Sequence, residues 1–341
     1  MVSLTASYIL RLTYALLPSD TVAKYSSGKN KPEESVERQR ELGLSIGTIK
    51  WEERLTIHEQ EGEVCELNTN EQSMPLEKIF EIRKPLIGMV HLLPLPGSPR
   101  HSGDGISRSL DAALRDARAL KNGGSDGLLM ENYGDSPFKP VPTDPETVAS
   151  MTAIGKEIAK QIDLPIGVNV LRNGARAALA IAHVIRARFI RVNVFTESLV
   201  TDQGIINACA HDLMRYRKQL RAEEVQVYAD VRSKHAAPLV PRPVEESARD
   251  AAYRGMADGL IITGPRTGAE PDCGQLRRIK NSVPDRPVLI GSGLTSRNAT
   301  KLLGEADGAI VGTSLKEAGV IERPVDETRV KELVRTVERV R

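Results

Sequence analysis

Aromatic residues make up only 4% of this chain. The core must therefore be filled by Val, Ile, Leu and Ala, which is the usual filling of a buried parallel sheet. Charge of one sign is also lacking. Lys and Arg number 47 against 45 Asp and Glu, a formal charge of +2. That balance excludes a nucleic-acid footprint and an acidic tail. The three cysteines, Cys65, Cys209 and Cys273, lie far apart with no CxxC, which excludes a disulfide framework or a cysteine zinc site and fits a reducing compartment. No apolar run reaches the ~18–20 residues that span a bilayer. The run Leu4 to Leu17 is short, is interrupted by Arg11, and lacks a basic leader and cleavage site, so a secretory signal is not expected. Neither GxGxxG nor GxxxxGK[ST] occurs, which removes the main support for a doubly wound nucleotide-binding sheet.

What is present is a rhythm. Eight strand-like runs alternate with helix-like runs: 86–92, 126–132, 166–171, 189–195, 225–232, 258–263, 288–292 and 307–312. Eight such units in about 250 residues predict a TIM (β/α)8 barrel. Between them, Leu110, Leu114 and Ala117 share a helical face, Asp144-Pro145 opens a helix to Lys160, Pro243 opens another, and Asp326 caps a last helix lined by Val330, Val334 and Val337. Three Asp-Gly pairs, at Asp126, Asp258 and Asp307, each precede an apolar run. They suit turns from helix into strand at the bottom of the barrel and are assigned structural roles. Residues 1–73 show no such rhythm. Lys24 to Arg40 is polar and Glu52 to Gln72 acidic, so a poorly ordered extension is expected before a barrel over 74–341. Residues 1–32, rich in Ser, Thr and Tyr with one acidic residue, also suit a transit peptide.

Alternation within strands predicts which residues face inward. Ile190, Val192 and Val194 suit the layer under the helices, which turns Phe189, Arg191, Asn193 and Phe195 inward. The same argument points Gly167 and Asn169 inward from the third strand, and Tyr228, Asp230 and Arg232 from the fifth. Polar groups on three adjacent strands are costly unless paired or used. An Arg191–Asp230 pair could merely fill space; a ligand site is the alternative. At strand ends, His91, Glu131, Asn132, Lys234 and His235 join them. Glu131, Asp230, His235 and His91 are acid–base candidates, and Asn132, Asn169, Arg191, Asn193 and Lys234 are substrate-binding candidates. Lys234 also has the chemistry for an imine with a carbonyl. His91, Glu131, Asp230 and His235 together have the donor types for a divalent metal, although no HxH or HExxH spacing marks them, and no cofactor is identified. His183, in a helical run, and His101, in a loop, are read as structural or exposed. Cys273, near a helix start, is read as an ordinary small residue.

The last two strands end in Gly291-Ser292-Gly293 and Gly312-Thr313-Ser314. Loops after strands seven and eight are where such barrels often hold phosphate, and glycine exposes backbone N–H groups there. A phosphorylated small molecule is the expected ligand.

Four stretches carry a resemblance to a known family. They are Lys84–Pro99 (KPLIGMVHLLPLPGSP), Asp126–Asp135 (DGLLMENYGD), Ala229–Ala236 (ADVRSKHA) and Leu289–Leu294 (LIGSGL). The chain resembles the BtpA/SgcQ family over about residues 75–341. Arg232 and Ser233 depart from that family's pattern. The resemblance implies a TIM barrel. The family is named for a thylakoid-associated protein needed for stable photosystem I, and it also has members in organisms without photosynthesis. Two readings follow. One is an enzyme (lyase, isomerase or hydrolase) or binder for a phosphorylated sugar- or nucleoside-like molecule, in the cytoplasm and compatible with a homo-oligomer. The other is a non-catalytic photosystem I biogenesis factor, peripheral to thylakoids or in an organelle, if the source is phototrophic.

Overall fold

Eight short parallel strands close on themselves in this computed structural model, which describes residues 76–341. The extension expected over residues 1–73, with its targeting signal, lies outside the described residues. The chain runs α1 (Glu77–Phe80), β1 (Leu86–His91), α2 (Ser107–Gly123), β2 (Gly127–Glu131), α3 (Pro145–Gln161), β3 (Ile166–Asn169), α4 (Ala175–Ile185) and β4 (Phe189–Val192). It continues with β5 (Leu199–Thr201), β6 (Gly204–Ile206), α5 (Ala210–Gln219), β7 (Gln226–Asp230), β8 (Ala236–Pro238) and α6 (Val244–Arg249). The last elements are β9 (Gly259–Ile262), α7 (Cys273–Ser282), β10 (Val288–Ile290), α8 (Ala299–Leu303), β11 (Gly308–Val311) and α9 (Glu327–Glu338). The ladder β1-β11-β10-β9-β7-β4-β3-β2 is a TIM barrel, and all eight strands expected from the sequence are in it.

The pleat sorts side chains into two apolar layers. Val90, Leu128, Val168, Ile190, Val227, Leu260, Val288 and Ala309 point out and pack under the helices. Ile87, Met89, Leu129, Phe189, Tyr228, Ile261, Leu289 and Ile310 point in. Gly167 makes room for this inner layer, since a Cβ there would lie 2.2 Å from the Phe189 ring. The lower end is closed by α1, whose Ile79 and Phe80 join the inner layer, with Phe80 and Phe189 ring centroids 5.8 Å apart. The sequence reading did not foresee this plug.

The three Asp-Gly aspartates share one geometry at that lower end. Asp126 accepts the Leu86 N–H at 2.7 Å, Asp258 the Val227 N–H at 2.8 Å and Asp307 the Val288 N–H at 2.8 Å. Each also meets a cation, from Arg341, Arg217 and Lys280 respectively. A charged carboxylate thereby satisfies the first free amide of the neighbouring strand.

Two inward assignments need correction. Phe195 packs in the outer layer and Val194 lies under the β5–β6 hairpin. Strand β4 ends at Val192, and the two-residue alternation holds only within a strand. Arg232 lies just past β7 at φ 60°, and its guanidinium turns away to the Arg242 carbonyl. Also unforeseen is a small antiparallel sheet, β6-β5-β8. It ties the segment after β4 to the segment after β7, which carries Lys234 and His235. Among the described residues no helix is long and apolar enough to cross a membrane.

Candidate functional site

A cavity of about 380 Å³ opens at the C-terminal ends of the strands. Its floor is the top of the inner apolar layer, represented by Met89, and its walls are built from two kinds of residue. On one side stand the side chains at the ends of β1, β2 and β4, with Lys234 and His235 from the segment after β7; on the other stand the backbone loops after β10 and β11.

The side-chain wall is a chain of pairings. Glu131, the last residue of β2, accepts from Asn169 Nδ2 at 2.6 Å, and its other oxygen lies 3.8 Å from His91 Nε2. Arg191 grips Asp230 with two hydrogen bonds, Nε to Oδ1 at 3.0 Å and Nη2 to Oδ2 at 3.1 Å. Asn193 adds a third to Oδ2 at 2.9 Å. Both members of the ion pair are buried, where such a pair needs good geometry and added hydrogen bonds, here the two-point grip and the Asn193 bond.

Two nitrogens stand outside the pairings. His91 Nδ1 is buried without a partner among the described residues. Burial, aided by the nearby charges of Lys316, Lys234 and Arg191, pushes the His91 imidazole well below its ordinary value of 6.5, so it is neutral at physiological pH. Its ring lies against Tyr133, with centroids 4.8 Å apart. The second is Lys234. Its backbone carbonyl accepts from Arg172, while its ammonium group reaches no hydrogen-bond or ion-pair partner among the described residues. Burial and then Arg191 lower its proton affinity, opposed by Glu131 and Asp230.

The loop wall offers backbone. Gly293 sits at φ 79°, and a Cβ there would lie 2.2 Å from the Ala269 carbonyl oxygen, so the close loop crossing needs glycine. A Cβ at Gly312 would press on His91 at 3.0 Å. The N–H groups of Ser292, Gly293, Thr313 and Ser314 donate to nothing among the described residues, whereas the Gly291 N–H is used by the Ile262 carbonyl. The Ser292 and Ser314 hydroxyls are engaged, by the carbonyls of Ala269 at 3.3 Å and Leu294 at 2.7 Å. Arg329 braces this wall from α9, donating Nε to the Ser314 carbonyl at 2.8 Å while lining the cavity. Behind it, buried Lys316 binds Asp116 of α2 at 2.7 Å and anchors the loop.

The structure gathers His91, Glu131, Arg191, Asn193, Lys234, His235 and both glycine loops around one cavity. His235 is at its exposed rim, 3.1 Å from Thr267 Oγ1. Three other residues do different work from that expected. Asp230 lies beneath the cavity with both oxygens taken, which corrects its place among the acid–base candidates: it holds Arg191. Asn169 orients Glu131. Asn132 bonds the Leu171 N–H at 2.7 Å and Asp135 at 2.9 Å, shaping the loops. The four-residue cation set also fails to assemble, and no three His, Cys, Asp or Glu converge among the described residues. Sequence reasoning missed Arg172, Tyr133 and Arg329, which all line the cavity. Arg172 follows the end of β3 by three residues and is buried, bonding Ser233 Oγ and the Lys234 carbonyl at 3.1 Å each. Its place beyond a strand end was the available signal; Arg329, on a returning helix, had none.

The pattern of the BtpA family matches residues 82–339, the whole barrel with all of its last helix. The chain belongs to the BtpA family. Photosystem I biogenesis protein BtpA of Synechocystis sp. is 42% identical over 261 residues, which is 76% of this chain and 90% of that protein. An uncharacterized protein of Pyrococcus furiosus is 45% identical over 254 residues, 74% of this chain and 94% of its own length. Among solved structures, thiamine phosphate pyrophosphorylase from Pyrococcus furiosus superposes with a TM-score of 0.47 at 17% identity, covering 75% of this chain and 96% of that one. The matched region of the BtpA family thus contains every cavity residue named above.

Proposed function

We propose that this BtpA-family barrel is an enzyme acting on a small phosphorylated metabolite at its C-terminal mouth. The observation that carries the reading is the unused backbone N–H groups of the loops after β10 and β11, facing a cavity whose opposite wall holds Glu131, His91, Arg191 and Lys234. Ser292, Gly293, Thr313 and Ser314 hold the phosphate through backbone amides and the Thr313 hydroxyl, with Arg329 adding charge. Glu131 exchanges protons with the bound metabolite, and neutral His91 hands a proton to or takes one from the same centre. Arg191 and Asn193, fixed by Asp230, orient the substrate. His235 and Arg172 close the rim. The size of the cavity suits a sugar phosphate, and the acid–base pair suits a lyase, isomerase or hydrolase reaction.

The name of the Synechocystis relative supports a second reading, a role in photosystem I biogenesis exercised at an exposed surface. That reading predicts tolerance of change inside the cavity. The test is thermal unfolding of the full chain with inorganic phosphate, sugar phosphates and nucleotides, with and without divalent cations. A ligand specific for the folded state raises the melting temperature. The expected result is a rise that Ser292→Trp abolishes while the variant stays folded. Failure of every phosphate ester to shift the transition would sink the metabolite reading and favour the surface role.

A further inference from the structure

We propose that Lys234 is a nucleophile that forms an imine with the carbonyl carbon of the phosphorylated substrate, so that the substrate class is a phosphorylated aldehyde or ketone. The proposal rests on the phosphate reading above and adds the reacting group to it. Four cationic side chains line the cavity, and three are held. Arg191 is bound to Asp230, Arg172 to Ser233 and the Lys234 carbonyl, and Arg329 to the Ser314 carbonyl. The Lys234 amine alone has no polar partner among the described residues, although it faces a cavity that contains Glu131. A structural lysine would pair with that carboxylate, but Glu131 is instead held by Asn169 and faces His91.

The backbone around Lys234 is fixed far more firmly than its amine. Arg172 binds its carbonyl, the Ser233 side chain is buried beside it, and β8 begins two residues later on the small sheet. A nucleophile needs this combination of a held stem and an unengaged head. Burial and the Arg191 charge lower the amine's proton affinity, which enlarges the neutral fraction able to attack.

The chemistry balances without an oxidant or reductant. The amine nitrogen bonds to the carbonyl carbon, the carbon–oxygen bond breaks, and the oxygen leaves as water carrying the two amine protons. Glu131 and His91 relay those protons. Once formed and protonated, the imine draws electrons from the neighbouring carbon, and Glu131 is placed to take the proton that carbon loses.

The test treats the full chain with borohydride in the presence of dihydroxyacetone phosphate, glyceraldehyde phosphate or ribose phosphate, and reads intact mass followed by peptide mapping. Unphosphorylated dihydroxyacetone serves as a control, and melting shifts with glycerol phosphate run in parallel. The expected result is one reduced adduct per chain on Lys234, lost in Lys234→Arg and weakened by inorganic phosphate. Mapping the unaltered chain answers the question even if a variant misfolds. Adducts scattered over surface lysines, or none on Lys234, overturn the imine. If glycerol phosphate still shifts melting in that case, the phosphate site stands without it; no shift as well removes both. An adduct on Lys234 that forms equally with dihydroxyacetone keeps the nucleophile and removes the phosphate site.

Discussion

At the lower end of the barrel, Asp126, Asp258 and Asp307 each bind a backbone N–H of the neighbouring, preceding strand and a cation from an outer segment. At the mouth, Glu131 is held by an Asn side chain, Asp230 by an Arg and an Asn, and the backbone takes no part. The lower carboxylates complete the scaffold where a ladder begins. The upper ones bind only other side chains. Near them His91 Nδ1, Arg172 Nε, Asn193 Oδ1 and Thr263 Oγ1 are buried and unbonded among the described residues, as Ser125 Oγ and Arg341 Nε are at the lower end. Unmet hydrogen-bonding capacity costs stability, and His91, Arg172 and Asn193 carry theirs on the cavity wall, where a ligand can meet it. Charge alone therefore says little about role; the identity of the partner decides it.

Four measurements would break or sharpen that contrast. Arg191→Leu leaves Asp230 buried without its counter-charge and should cost about 3–5 kcal/mol in urea unfolding. Replacing both members by Leu should recover much of that loss. A single-variant cost below that of the lower aspartates would end the contrast. Glu131→Gln keeps an acceptor for Asn169, so stability should change little, while turnover of whatever phosphorylated substrate the screen finds should fall about 10²–10⁴-fold. Asp258→Ala removes the partner of the Val227 N–H and should cost about 1–3 kcal/mol, with phosphate-ester binding unchanged in calorimetry.

The smallest effect is a pH slope. The folded chain keeps His91 neutral, while the unfolded chain protonates it near its ordinary value of 6.5. As pH falls through that value the unfolded state binds the extra proton, so stability present above it is lost on acidification. His91→Asn should flatten the decline in unfolding free energy over this range. An unchanged slope would show that the imidazole is not held neutral.

Period-two alternation was enough to read the barrel and to aim Arg191, Asn169 and Asp230, because within a strand the side-chain direction is fixed by the backbone. It failed at Phe195 and Arg232, where the strands had already ended. The strands β5, β6 and β8 have three residues each, too few for a periodic signal, and draw their stability from one another. For the site, sequence named the groups on strand ends but, apart from Arg191 and Asp230, not their partners. The Arg191–Asp230 pair was one of two alternatives that sequence left open, and that Lys234 has no ion-pair partner among the described residues is a fact of three-dimensional neighbourhood. Arg329 could not be seen at all, since it reaches the mouth from the helix that follows the last strand.

The short helix α1, with Phe80 pressed on Phe189, stops the barrel at its base. Among the described residues the cavity therefore has no exit through the base, and on the enzyme reading proposed above its mouth serves as the doorway. Whatever enters deepest leaves last, and a second reactant waits until the first is seated. Should this family's chemistry prove to involve two molecules, the expected kinetics are those of a compulsory queue, with the outer product inhibiting competitively against the molecule that takes the same place at the door.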